Sequence, residues 1–159
     1  MKVEMSLSEV QFSVDRPEQS LGFVFWKTTL QWQRKITEGL KPLDMTHVQF
    51  VLMAGIGWLE NENDEVTQTM LASHAEVDVM MTSKVLRALE SKSWVQRNLH
   101  STDTRAKSLS LTRQGKHQLK KALIIVEDID KQFFSAIKKN KSQFLENLLN
   151  LMKINLKTE

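Results

Sequence analysis

Apolar residues in this chain recur at helical spacing over most of its length and alternate with polar ones over two short stretches. Over residues 17–40 the apolar side is marked by Leu21, Phe25, Trp26, Leu30, Ile36 and Leu40. Pro17 suits the first turn of a helix, and Gly39 and Pro42 close it. Phe23 and Trp32 fall elsewhere, so this helix is apolar on more than one face. That predicts two contacts, its own core and another subunit. Thr46, with Gln49 three residues on, predicts a capping box. The helix it opens carries Val48, Phe50, Val51, Leu52, Ala54, Trp58 and Leu59. Residues 61–64 are a polar turn, and Glu65 and Val66 predict a short edge strand. Thr67 begins a third helix, from Gln68 to about His74, with Met70, Leu71 and Ala75 inward.

The pattern centres on residues 77–97. Met81, Val85, Leu86 and Leu89 form one stripe facing a core. Thr82, Ser83, Lys84 and Arg87 lie off the stripe and are expected to point outward. Asp78 can cap the helix, because a carboxylate accepts from free backbone N–H groups. Residues 94–99 alternate as a strand, 100–104 are a polar loop, and 106–111 alternate again. The two strands predict a hairpin. Thr112 caps a long helix to about Ile137, with Leu119, Leu123, Val126, Ile129, Phe133 and Ile137 near heptad spacing. A last helix, from Lys141 to about Leu156, carries Phe144, Leu145, Leu148, Leu149 and Met152 on one side. Residues 1–15 show no clear period and predict a loose arm. Two apolar terminal helices and an over-apolar first helix exceed what one small core needs. A dimer would bury the excess.

Composition adds limits. At 159 residues one domain with a modest core is expected, and 41% apolar content excludes global disorder. A net charge of +3 is too mild to name a partner. Its distribution says more: residues 66–115 hold seven cations against four anions, a net +3 equal to that of the whole chain. The chain has no cysteine, which excludes disulfides and thiol chemistry. No apolar run reaches the roughly 20 residues a membrane span needs, and the amino terminus lacks the apolar core of a signal peptide. A soluble cytoplasmic protein is expected, with no membrane partner. No glycine-rich phosphate loop, nucleophile elbow or paired-carboxylate motif stands out, so no enzyme and no cofactor are expected. His47, His74, His100 and His117 show no metal-ligand spacing on one helix face. His74 and His100 can contact phosphate instead. Trp26, Trp32, Trp58 and several methionines can line a ligand pocket, but such positions are more often core.

Four motifs then line up in order: Leu43-x-x-Thr46-x-x-Gln49-Phe50, Thr67-Gln68-x-x-Leu71-Ala72, Thr82-x-x-Val85-x-x-x-Leu89-Glu90, and Asp103-x-Arg105-Ala-Lys107-Ser-Leu-Ser-Leu-Thr112-x-x-Gly115. Together they resemble the MarR-type winged helix-turn-helix transcription regulators, over about residues 21–129. The resemblance implies a mainly α fold with a small β-hairpin: a winged-helix DNA-binding part at 43–112, and dimerisation helices at 17–40 and 112–156, in one domain spanning 1–159. It implies an obligate homodimer on double-stranded DNA with a near-palindromic operator. Two recognition helices would enter major grooves, and two wings would reach minor grooves. It also implies DNA affinity that changes with a small-molecule effector. The chain departs from the family pattern in four places. His100 and Thr102 stand where the wing usually opens with Asp and carries Arg, so one wing cation is absent. Glu76 and Ser93 stand where glycine is usual.

The candidate DNA-binding residues are Thr67, Gln68, Met80, Thr82, Ser83, Lys84, Arg87, Asp103, Arg105 and Lys107. Hydroxyls and Lys more often position on phosphate than read sequence, and Arg can contact guanine bidentately. Val79 and Met80 can touch a thymine methyl or simply pack. Arg105 can enter a narrow minor groove, oriented by Asp103; an ordinary hairpin ion pair is the plainer alternative. Lys107 meets phosphate or solvent. The absent wing cation and glycines motivate a second reading, a winged-helix module for protein–protein interaction with weak or no DNA binding. Salt-dependent binding to duplex DNA separates the two.

Overall fold

Side-chain oxygens decide where the helices begin. In a computed structural model that describes residues 11–103 and 107–155, Thr46 Oγ1 accepts from Gln49 N at 3.2 Å, and Gln49 Oε1 accepts in return from Thr46 N at 3.0 Å. This box starts α2 (His47–Leu59). Thr67 Oγ1 accepts from Met70 N at 3.2 Å and starts α3 (Gln68–Ala75). Asp78 Oδ1 accepts from Met81 N at 2.8 Å and starts α4 (Val79–Ser91). Thr112 Oγ1 accepts from Gly115 N at 2.9 Å and starts α5 (Arg113–Phe133). Each cap satisfies an amide the helix cannot, worth about 1 kcal/mol.

The start of the first helix and the end of α5 differ from the sequence pattern. Pro17 opens only a 3-10 turn, Pro17–Gln19. Ser20 then turns extended and its Oγ accepts from Phe23 N at 3.4 Å, so α1 runs Leu21–Leu40. Gly39 does not close α1. It permits close packing: a Cβ there would stand 2.5 Å from Ile129 Cδ1. Helix α5 stops at Phe133 rather than near Ile137, and Phe134–Asn140 follow in 3-10 form, with Lys138 at φ 53°. Phe134 lies edge-on to Phe133 at 5.2 Å and 6.3 Å from Phe144 of α6 (Lys141–Asn155). Leu156 lies outside the described residues.

Packing divides the chain between Arg34 and Lys35. In the first unit Phe23 and Trp26 stack at 6.2 Å, while Leu21, Phe25 and Trp26 stay largely exposed. In the second, the core gathers Leu52, Met53 and Ile56 of α2, Leu71 of α3, Leu86 and Leu89 of α4, and Ala122 and Val126 of α5. Strands β1 (Val66–Thr67), β2 (Val95–Leu99) and β3 (Lys107–Leu111) form an antiparallel sheet in the order β1-β3-β2. The hairpin is as expected from the alternation, and the short edge strand lies one residue later than Glu65 and Val66, where it was expected. The register pairs Val66 with Leu109 and Val95 with Leu111, placing buried apolar side chains together. Among the described residues no helix is long and apolar enough to cross a membrane.

Glu76 (φ 49°) and Ser93 (φ 57°) take left-handed backbone at the turns flanking α4. These are the two positions where the resemblance leads one to expect glycine, and the geometry supplies the reason. A Cβ in this region costs about 1–2 kcal/mol, partly offset by the extra freedom glycine has when unfolded. Ser93→Gly is therefore expected to stabilise the fold by about 1 kcal/mol, read as a higher urea midpoint with unchanged slope. No gain, or a loss, would mean that the serine side chain compensates its backbone.

Candidate nucleic-acid interface

Helices α3 and α4 form a helix-turn-helix. Ser73 O accepts from Glu76 N at 3.3 Å and Ala72 O accepts from Val77 N at 3.1 Å, which ends α3 and turns the chain into Asp78. Gln68 reaches across, its Nε2 donating to Val79 O at 3.4 Å. Thr67 is used as the α3 cap. Thr67 thus fixes the start of α3, and Gln68 ties α3 to α4, whatever else they touch.

On α4 the buried stripe is Thr82, Leu86 and Leu89, one residue out of phase with expectation at its amino end. Thr82 is fully buried and does not point outward as its chemistry suggested. Its hydroxyl donates to Asp78 O at 2.9 Å, which lets a polar side chain sit in the core. Met81, expected inward, is exposed instead. The outward face carries Met80, Met81, Ser83, Lys84 and Arg87, which with Asp78 line one open groove of about 530 Å³. Of the predicted α4 set, the structure brings Met80, Ser83, Lys84 and Arg87 together and withdraws Thr82.

The carboxyl end of α4 is held firmly. Lys92 Nζ donates to the Asp44 carbonyl and pairs with Asp44 Oδ2 at 2.7 Å, while lying 4.6 Å from the centre of the Trp94 ring. Arg97 of β2 pairs with Glu90 Oε2 at 3.0 Å, so that cation serves the fold.

The wing opens on a knot that sequence reasoning missed. Glu65 accepts from Ser101 N at 3.0 Å and from the Ser101 hydroxyl. His100 Nδ1 accepts from Asp103 N at 3.2 Å, which leaves the ring proton on Nε2, 3.4 Å from Glu65 Oε2. His100, proposed for phosphate, is half-buried and committed to this knot. The partners come from distant segments, and no local spacing announces them. Ser101's hydroxyl and amide, aided by His100, hold the Glu65 carboxyl below the usual glutamate range. A depressed carboxylate adds stability above its unfolded pKa and loses it as pH falls through the folded one. The Ser101 amide resonance is therefore expected to titrate below the ordinary glutamate range, and Glu65→Gln to abolish that step. A Ser101 step at the ordinary value would show that the knot is not formed in solution. Asp103 and Lys107 are exposed at the hairpin, while Arg105 lies outside the described residues.

Burial lowers the His47 pKa, with the Asp130 carboxylate opposing. Among the described residues no group of three or more His, Cys, Asp or Glu is placed to hold a metal ion.

Comparison with known proteins agrees with this geometry. Residues 42–130 match the family model described as ArnR1-like, winged-helix domain. An HTH-type transcriptional regulator of Bacillus subtilis strain 168, YdcH, is 42% identical over 137 residues, covering 86% of this chain and 92% of the relative. A mutant MarR from Escherichia coli, solved with operator DNA, superposes with a TM-score of 0.73 at 26% identity, covering 83% of this chain and 92% of that one. The repressor CouR, bound to a 23-mer DNA duplex, shares the fold with a TM-score of 0.76 at 19% identity, covering 91% and 99%. With more than half its length matched by the winged-helix model and a bacterial regulator 42% identical across most of both chains, this chain belongs to the ArnR1-like winged-helix family, among the MarR-type transcription regulators rather than the enzymes.

Proposed function

We propose that the chain acts as a homodimeric, sequence-specific DNA-binding regulator that grips a near-palindromic operator. The observation that carries this reading is the outward face of α4, where Met80, Ser83, Lys84 and Arg87 share one groove. In helix-turn-helix proteins the second helix enters the major groove. Lys84 and Arg87 neutralise phosphate or reach base edges, and Lys107 and Arg105 extend the contact along the wing. Asp103 orients Arg105, and Thr67 and Gln68 add contacts from the start of α3. The dimer is supported by apolar surface on the terminal helices, with Leu21, Phe25 and Trp26 exposed on α1 and Leu145, Leu151 and Ile154 on α6. Single exposed apolar residues need no explanation, but rows of them do. The single domain spans 1–159, with 17–40 and 112–156 as its dimerisation helices. A small-molecule effector belongs to the same proposal. A hollow of about 470 Å³ lined by Lys35, Glu38, Gly39, Ile129, Gln132 and Phe133 offers it mixed polar and apolar walls. No tryptophan lines that hollow.

The test joins mass and salt. Sedimentation at low micromolar concentration is expected to give twice 18.4 kDa, and Leu148→Glu with Met152→Glu to give a monomer, since charges in a dry interface are costly. Duplexes selected from a random library should bind with affinity that falls steeply as salt rises. A well-folded wild-type monomer would sink the dimer. A flat salt response, or equal binding to one half-site, would favour the protein–protein interaction module.

A further inference from the structure

The amino end of α4 exposes three apolar side chains in succession: Val79 is 56% exposed, Met80 84% and Met81 43%. Two of them line the groove that also holds Ser83, Lys84 and Arg87. Nothing among the described residues covers them, although α2, α3 and β2 all pack on the other side of this helix. The helix is pinned with that face outward, by the buried Thr82–Leu86–Leu89 stripe and by the Asp78 cap. An apolar step flanked by a lysine and an arginine fits a partner that is anionic overall and apolar at one spot. The major groove is such a surface. Its phosphates are anionic, and the one apolar group on its base edges is the C5-methyl of thymine.

Resting on the DNA-binding reading above, we propose that Val79 and Met80 read pyrimidine C5-methyl groups and so set part of the operator's sequence. Met80 is unbranched, and its polarizable thioether can follow a methyl whose position shifts with local DNA shape. Val79 is stiff at χ1 and offers a fixed surface. Lys84 and Arg87, about one and two turns further on, supply the charge contacts. The recognition therefore depends on a methyl and not on the identity of the pyrimidine. A cytosine carrying the same C5-methyl would satisfy the same contact.

The experiment uses the full chain and duplexes selected from a random library. Each thymine in a selected half-site is replaced singly by deoxyuridine, which removes the methyl and nothing else. Wild-type protein is expected to bind about fourfold more weakly at each position whose methyl is buried, the factor for one lost CH₂-sized contact. The Val79→Ala, Met80→Ala double variant should bind thymine and uracil duplexes alike at those positions. Placing 5-methylcytosine in a C·G pair there should recover part of the affinity that plain cytosine loses. Both side chains are exposed, so the double variant should melt with the wild type. Equal wild-type binding to all thymine and uracil duplexes overturns methyl reading while leaving DNA binding in place. A uracil loss that persists in the double variant assigns the methyl contact to other residues and equally overturns the proposal. No selected duplex at all overturns the DNA-binding reading itself.

Discussion

Gly115→Ala is expected to destabilise the fold by about 3–5 kcal/mol. The first turn of α5 lies directly on the backbone of the residue before β2. Trp94 O accepts from Thr112 N at 3.0 Å, and Ser93 O accepts from Thr112 Oγ1 at 2.6 Å. A Cβ on Gly115 would stand 1.9 Å from Trp94 O and 2.8 Å from its carbonyl carbon. Backbone cannot yield as a side-chain tip can, so α5 must lift. Overpacking costs about 1–3 kcal/mol, and the strained Thr112 cap and its bonds add about 2 more. Against a typical total of about 5–15 kcal/mol, that is a large share. The measure is the urea midpoint at constant slope. Gly57→Ala is the control. Its Cβ would meet Leu119 Cδ2 at 3.4 Å and Leu111 Cδ1 at 3.5 Å, an ordinary contact. Alanine's helix preference should then raise stability by about 1 kcal/mol. If the two substitutions act alike, close approach at Trp94 is not what Gly115 provides.

Arg87→Ala is expected to cost about 1–3 kcal/mol of operator binding with no change in melting temperature. The side chain is exposed on α4 and contributes nothing to the core. Two mechanisms can be told apart. A phosphate contact weakens all sequences equally and lowers the salt slope by about 1, whereas a guanine contact relaxes specificity at one base pair. Thr82→Val gives the opposite profile. It removes the hydroxyl bonded to Asp78 O inside the core and should cost about 1 kcal/mol of stability. Its salt slope should stay that of the wild type. Should Thr82→Val change the salt slope while Arg87→Ala leaves binding intact, the assignment of faces on α4 is reversed.

The difference between those two residues shows what sequence can convey. Helix starts were legible because a cap is local chemistry: Thr46, Thr67, Asp78 and Thr112 each bond an amide three residues on. The hairpin was legible from alternation. Thr82 was not, because its hydroxyl argued for solvent and set it off the stripe, although it stands four and seven residues before Leu86 and Leu89 and is buried with them. Only an i−4 carbonyl, visible in three dimensions, reconciles the two. Met81 misled in the opposite sense, being apolar and adjacent to the stripe without lying on it. The Glu65–Ser101–His100 knot joins Glu65 to Ser101, 36 positions away, through sheet topology, so no window could reveal it. The break at Ser20 was hidden by Pro17, whose preference for a first turn is met by a 3-10 turn as readily as by an α-helix.

The Lys92–Asp44 attachment turns α4 into a lever. Its carboxyl end is fixed to the turn before α2, while its amino end rests on the buried Thr82, on the turn closed by Val77 N and Ala72 O, and on a 3.4 Å bond from Gln68. Thirteen residues at about 1.5 Å each make an arm of roughly 20 Å. A tilt of about 5° at the fulcrum would swing the amino end by roughly 1.7 Å, wider than the whole 2.7–3.2 Å span of a good hydrogen bond. Small strains delivered at Asp44 would thus be magnified where Val79 and Met80 stand, and hardly felt at Glu90.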